Sequence, residues 1–208
     1  MKPNSIRVMA VDDHALIREG IAALIANQTD MTLVAEASNG REAIDQFRSH
    51  CPDVTLMDLQ MPEMSGIDAI IAIRNEFPEA RIIVLTTYAG DVLCQRALKA
   101  GAQAYILKAN VRKDLLETIR EVRVGKKLIH AEVAAELASH VMDNTLTPRE
   151  IKVLSLVAAG NSNKLIADQL SISEETVKGH LKSIISKLGA NDRTHAVTLG
   201  LKRGIIEL

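Results

Sequence analysis

Apolar runs at 7–11, 33–37, 54–58, 81–86 and 104–108 alternate with amphipathic stretches near 15–27, 41–50, 66–76, 91–100 and 112–124. The runs are short, rich in Val, Ile, Leu and Met, and mostly lack a polar alternation. Strands of that kind are covered on both faces, as in a parallel sheet whose crossovers are helices. Residues 6–125 therefore predict five βα units of an α/β domain. Turn signals fall between the units at Asn39-Gly40, Pro52-Asp53, Pro62 with Gly66, Pro78 and Gly101.

Beyond Gly125 the pattern changes. Residues 131–141 predict a short Ala-rich helix, with Val133, Leu137 and Val141 on one stripe, inside a linker at 126–145. From residue 146 the chain reads as helical and strongly punctuated. Thr147-Pro148-Arg149-Glu150 is a capping box with proline at the first helical position, and Gly160 suits the end of the helix it opens. Ser162 caps a second, short helix to Leu170, and Ser173 caps a third that Gly189 ends. Asp192 caps a fourth helix running to Lys202, with Gly204 beyond. Ile166, Leu170, Ile172, Val177, Leu181, Ile184 and Leu188 give the second and third helices a continuous inward face.

A chain of 208 residues suits two domains, with limits expected at 1–125 and 146–208 around the linker. Aromatic residues are 2% and Trp is absent, so both cores must be aliphatic. The net charge of −1 hides an asymmetry: residues 146–208 hold nine Lys or Arg against six Asp or Glu, and the rest hold sixteen against twenty. A mildly basic rear domain behind an acidic front domain points to two different partners. Cys51 and Cys94 have no metal or redox spacing and are expected as small, partly buried hydrophobes in a reducing compartment. The first five residues lead directly into a strand, with no signal-peptide pattern. No apolar stretch reaches the ~18 residues of a membrane span. A cytoplasmic protein without membrane contact is expected.

The candidate chemistry lies at the ends of the strands. Asp12 and Asp13 follow the first run, Asp58 ends the third, Thr86 the fourth and Lys108 the fifth. In an open parallel sheet the carboxyl ends of the strands line the crevice where ligands bind. Three carboxylates there repel one another unless a cation sits between them, and an oxygen donor set favours Mg²⁺ or Mn²⁺. Lys108 adds a point charge for a phosphate, Thr86 a hydroxyl, and a carboxylate can itself accept a phosphoryl group as a nucleophile. One strand-end Asp would read as a turn or helix cap. The set, each member at the same end of a different strand, predicts a cation and phosphoryl site.

Asp12-Asp13-His14, Asp58-Leu59-Gln60-Met61-Pro62 with Gly66, Thr86-Thr87 and Tyr105-Ile106-Leu107-Lys108 resemble the receiver domain of two-component response regulators. The resemblance covers about residues 6–125 and implies a flavodoxin-like doubly wound sheet of order 2-1-3-4-5. It implies that Asp58 is the phosphoacceptor. Asp13 and Asp58 would bind Mg²⁺ directly with the main-chain carbonyl of Gln60, and Asp12 through water. Lys108 would hold the phosphoryl oxygens, while Thr86 and the aromatic Tyr105 would move together as the switch. Gln60 and Tyr88 sit where that family tunes dephosphorylation.

In the rear domain Lys178 and Lys182 stand one turn apart on the outer face of the third helix, near Thr176, Ser183 and Lys187. Charge pattern alone suits both a solvated bundle face and a helix that enters the major groove. Leu146-Thr-Pro-Arg-Glu150, Gly160-Asn-Ser-Asn-Lys164, Ser173-Glu-Glu-Thr-Val-Lys178, Lys187-Leu-Gly189 and Asp192-Arg-Thr194 resemble the LuxR-type helix-turn-helix over residues 146–205. With a receiver ahead of it, the chain is similar to the NarL/FixJ family of response regulators. That resemblance makes the third helix the recognition helix, with base contacts at Lys178, Gly179 and Lys182. Lys187 and Arg193 become phosphate contacts, and the fourth helix a dimer surface. Two residues depart from the family pattern: Gly179 replaces a larger side chain, and Leu165 an acidic one.

The combined expectation is a DNA-binding transcription regulator. A sensor histidine kinase phosphorylates it on Asp58, it forms a homodimer on activation, and it reads operator half-sites in double-stranded DNA. Its enzymology is limited to its own phosphorylation and dephosphorylation. Two rivals predict different behaviour. A DNA binder controlled by a protein partner would not depend on Asp58, and a phosphohydrolase with Asp58 as nucleophile would turn over an external phosphoester.

Overall fold

The computed structural model describes residues 5–87, 91–129 and 146–206. The chain divides into two compact units. Tyr88 and the helix expected at 131–141 lie outside the described residues.

The front unit is the expected α/β domain. Its elements run β1 Ile6–Val11, α1 Ala15–Ala26, β2 Met31–Ala37, α2 Gly40–His50, β3 Val54–Asp58, α3 Gly66–Glu76, β4 Ile82–Thr86, α4 Asp91–Lys99, β5 Ala104–Leu107, α5 Val111–Arg123 and β6 Leu128–Ile129. The sheet is parallel throughout, in the order β2-β1-β3-β4-β5-β6. Every residue of β3 and β4 is buried, which is why their sequences carry no alternation. Val8, Ala10, Leu56, Ile83, Leu85 and Ile106 pack with Ile21 and Ile25 of α1 and Leu115, Ile119 and Val122 of α5. Alternate residues of the same strands, Met9, Met57, Val84 and Tyr105, point the other way and are just as buried.

The order 2-1-3-4-5 stands as expected, and the strand count does not. Leu128 and Ile129 pair with Ala104 and Tyr105 as a sixth, edge strand, inside the stretch the sequence assigns to the linker. Two residues are too few for any periodicity to register. The fifth strand also stops one residue early, at Leu107, and Lys108 opens a single 3-10 turn, Lys108–Asn110. Cys51 departs from expectation as well. It closes α2 in the left-handed conformation, φ 40°, and is exposed, whereas Cys94 is buried.

The rear unit holds four helices among its described residues: α6 Pro148–Ala158, α7 Asn163–Leu170, α8 Glu174–Leu188 and α9 Arg193–Lys202. Each begins where its cap predicts. Thr147 and Glu150 complete the capping box, and Ser162, Ser173 and Asp192 each accept a main-chain N–H. Val153, Leu154 and Val157 of α6 meet Ile166, Val177, Leu181, Ile184 and Leu188 in one aliphatic core. Leu170 and Ile172, expected on the inward face, are half-buried at its margin. No helix among the described residues is long and apolar enough to cross a membrane.

Candidate functional site

Register brings the front site together. Val11 lies beside Met57, Asp58 beside Leu85, and Thr86 beside Leu107, so the ends of β1, β3, β4 and β5 share one level. The residues that leave those ends are Asp12, Asp58, Thr86 and Lys108, and all but the lysine are buried. Lys108 Nζ stands 2.7 Å from Asp12 Oδ2 and 2.7 Å from Asp58 Oδ2. Asp13 is more exposed and faces the same point through His14, whose Nδ1 lies 2.8 Å from Asp13 Oδ1 and 3.2 Å from Asp12 Oδ1. The donor atoms of Asp12, Asp13, His14 and Asp58 all lie within 4.8 Å of one another.

One ammonium facing three carboxylates leaves the cluster with surplus negative charge in a poorly solvated place. The residues therefore fit a divalent cation, and the mainly carboxylate donors suit a hard one. Burial pushes the Asp58 carboxyl up from its ordinary range, and the neighbouring Asp12 adds to that. The hydrogen bond and charge of Lys108 oppose the shift without cancelling it. Burial works against the charge of Lys108, but its bonds to Asp12 and Asp58 outweigh it and raise its pKa. The lysine is thus a permanent cation, shared between two acids. Gln60 adds a main-chain N–H that donates to Asp58 Oδ1 at 3.4 Å. Thr86 and Tyr105 are both buried, the ring of Tyr105 completely.

Gly66 supports the site in a way the sequence shows only as a turn signal. It is the first residue of α3, and its N–H donates to the Leu59 carbonyl at 3.0 Å. A Cβ built there would lie 1.9 Å from the carbonyl oxygen of Asp58. Only glycine lets α3 begin this close to the loop that follows β3. Gly66→Ala is expected to destabilise the front domain by about 2–3 kcal/mol, within the range of overpacking. A thermal melt of the variant would show a clearly lowered first transition, and an unchanged melt would refute the steric argument.

The rear site is the outer face of α8. Lys178, Gly179 and Lys182 are exposed there, and a Cβ on Gly179 would meet nothing within 4 Å. Lys178 reaches Glu175 at 3.3 Å, an exposed pair that is easily given up. The Thr176 N–H donates to the Ser173 hydroxyl at 3.1 Å, and the two hydroxyls lie 2.9 Å apart, so Thr176 is exposed but engaged with the cap. Arg193 is exposed, and its guanidinium donates to the Asn161 carbonyl at 3.2 Å.

Ser183 and Lys187 do not belong to that face. The Ser183 hydroxyl donates to Glu150 Oε1 at 2.6 Å, and Lys187 Nζ to Glu150 Oε2 at 2.8 Å. Glu150 is buried at the start of α6, where its Oε2 also accepts the Thr147 N–H at 2.7 Å. Burial raises the pKa of Glu150, but the bonds from Lys187, Ser183 and Thr147 outweigh it and hold it at about 2. Both side chains that the sequence offered to DNA are thus turned toward a carboxylate inside the domain. The capping box disclosed Glu150 as a local cap, and nothing in its spacing disclosed these distant partners. His14 is the other residue passed over, and its only signal was its place beside two aspartates.

Comparison with known proteins follows the same division. A family model described as the response regulator receiver domain matches residues 8–120. A second, described as bacterial regulatory proteins of the LuxR family, matches residues 144–199. The response regulator protein VraR of Staphylococcus aureus is 36% identical over 208 residues, covering 98% of this chain and all of that one. The crystal structure of ChrA, a response regulator of a heme-sensing two-component system, is 36% identical. It covers 98% of this chain and 100% of its own, with a TM-score of 0.60. RcsB from Salmonella enterica serovar Typhimurium, bound to a promoter in the presence of phosphomimetic BeF3⁻, is 27% identical. It covers 96% of this chain and 99% of its own, with a TM-score of 0.75.

Proposed function

Since the chain belongs to the response regulators that join a receiver to a LuxR-type DNA-binding domain, we propose that phosphorylation of Asp58 by a sensor histidine kinase controls its binding to DNA. The observation that carries this is the shared ion pair of Lys108 with Asp12 and Asp58, at 2.7 Å each, at the end of a buried sheet. In the transfer, an Asp58 oxygen forms a bond to phosphorus as the bond to the kinase's histidine nitrogen breaks. That nitrogen keeps the electron pair. Asp12, Asp13, Asp58 and the main-chain carbonyl of Gln60 would hold Mg²⁺, which supplies charge neutralisation for the incoming phosphoryl oxygens. Lys108 is placed to keep one of those oxygens. The chemistry is confined to the protein's own carboxylate.

The new dianionic group changes the local charge, and the Thr86–Tyr105 pair is the two-state element it biases. Thr86 supplies the hydroxyl that bonds the phosphoryl group, and Tyr105 lies on the neighbouring strand β5, two residues before Leu107, the partner of Thr86. The population shifts to a homodimer, and two copies of α8 then read half-sites in double-stranded DNA about 34 Å apart. The working limits are 1–125 for the receiver, 126–145 for the linker and 146–208 for the DNA-binding domain, in a cytoplasmic protein. Incubation with a small acyl-phosphate donor and Mg²⁺ tests the proposal. One acid-stable but base-labile phosphoryl group per chain, mapped to Asp58 by mass spectrometry, is the expected product. Labelling elsewhere, or none, defeats it.

On the DNA side, Lys178, Gly179, Lys182 and Thr176 face the groove, and Arg193 a phosphate. Lys178→Ala and Lys182→Ala are each expected to weaken operator binding by about 1–3 kcal/mol where the lysine reads a base. A lysine that meets only phosphate instead lowers the salt slope by about one. Affinity measured against salt concentration separates the two roles, and a variant with neither change removes that lysine from the interface.

A further inference from the structure

We infer that Arg18 is a positioning residue for the cation and phosphoryl site, its guanidinium fixing the peptide from which Asp13 projects. The inference rests on the Mg²⁺ reading above and adds a residue outside the carboxylate cluster. Arg18 closes the first turn of α1, where its N–H donates to the His14 carbonyl at 3.3 Å. A helical side chain leans back toward the N-terminus of its helix. The stem of Arg18 therefore runs back over the turn between β1 and α1, and its Nη1 donates to the Asp12 carbonyl at 2.6 Å.

That carbonyl needs a partner from outside the sheet. Val11 pairs with Ala37, the last residue of β2, and the Asp12 N–H donates to the Ala37 carbonyl at 3.1 Å. In a strand the N–H and C=O of one residue point to the same neighbour, so the Asp12 carbonyl faces the side on which β2 has ended. Left unpaired there, beside a buried sheet, it would cost free energy. Arg18 fills the place with a charged donor whose side chain is only 21% exposed, and its Nε lies 3.6 Å from Glu36 Oε1 on β2. The carbonyl of Asp12 and the N–H of Asp13 belong to one planar peptide, so holding the oxygen fixes the direction in which Asp13 leaves the strand. Lys108 grips the Asp12 carboxylate directly, whereas Asp13 is the more exposed acid and takes its aim from its main chain.

The sign of one measurement separates positioning from charge. A cation beside the site repels Mg²⁺, so if Arg18 acted through its charge alone, Arg18→Met would bind Mg²⁺ more tightly. Loss of positioning gives the opposite, a fall in Mg²⁺ affinity of about tenfold, read by isothermal titration calorimetry of the full-length chain without any phosphoryl donor. With a small acyl-phosphate donor, the half-saturating Mg²⁺ concentration should rise by the same factor. The phosphorylation rate at saturating Mg²⁺ should stay near that of the wild type. Arg18→Lys keeps the charge but cannot reach the Asp12 carbonyl and Glu36 together, so it should show a smaller loss in the same direction. Should Arg18→Met fail to fold, Arg18→Lys decides. Mg²⁺ binding that is unchanged or tighter in the deciding variant overturns the inference and leaves the carboxylate site standing. Failure of the metal reading itself looks different: the wild type would bind Mg²⁺ no more tightly than Asp13→Asn, and both proposals would fall.

Discussion

Asp58→Asn is expected to hold DNA affinity and oligomeric state at their unphosphorylated level, whatever acyl-phosphate donor and Mg²⁺ are supplied. The wild type should gain affinity under the same conditions by about 5- to 150-fold, the usual span of a coupling between two sites. The amide has the shape of the carboxylate and none of its nucleophilicity, so the loss is one of chemistry and not of packing. Stability supplies the control. Asp58 has a raised pKa, chiefly because it is buried, so its ionised form is disfavoured in the folded state. The folded protein therefore binds this proton more tightly than the unfolded chain. Stability contributed by the site falls as pH rises from the ordinary aspartate value through the raised one. Removing the charge relieves that penalty, so the variant should melt no lower than the wild type at neutral pH. Specific DNA binding that still responds to donor in the variant would show that Asp58 is not the switch. A variant that fails to fold would refute the electrostatic account of the site.

Glu150→Ala should be the most damaging single change in the rear domain. The carboxylate is buried and holds the start of α6, Ser183 and Lys187 together, and its pKa of about 2 measures how strongly the fold favours its charged form. Relative to an ordinary glutamate the shift corresponds to roughly 3 kcal/mol. Because the pKa is depressed, this stability is present above the ordinary glutamate range and is lost as pH falls toward about 2. Truncation removes it at all pH values, the bond from the Thr147 N–H included, and leaves Lys187 facing an empty hollow. Denaturant unfolding of the full-length protein should show the rear transition moved to much lower denaturant, with the front transition in place. Operator binding should fall in proportion. A rear transition within 1 kcal/mol of the wild type would mean that the network contributes little.

The front domain was largely legible because its strands are buried on both faces. An apolar run of five residues that ends in a charged one, repeated along the chain, carries order, direction and site in a single signal. Asp12, Asp58, Thr86 and Lys108 could be named together because a parallel sheet puts the ends of its strands at one level. The same logic is silent where structure depends on one residue's backbone or on a distant partner. Two-residue β6 has no period to detect. Cys51 takes a left-handed conformation that its type does not announce, and so becomes exposed. The caps of the rear helices were readable because capping acts over three or four residues. The partner of Ser183 and Lys187 was not legible because helical periodicity assigns a side chain to a face without saying what waits there. Glu150, 33 and 37 residues away, turns both inward.

That inward turn divides α8 lengthwise. One edge, Ser183 and Lys187, is keyed to Glu150 and sets the rotation of the helix about its own axis. The other, Lys178, Gly179 and Lys182, is free of the core, and its middle position has open space where a side chain would go. Mutation can therefore rewrite this exposed edge, the one proposed to read DNA, without disturbing the key that aims it. A duplicated copy of such a regulator could drift to a new operator through three solvent-facing codons while its fold stayed under the old constraint.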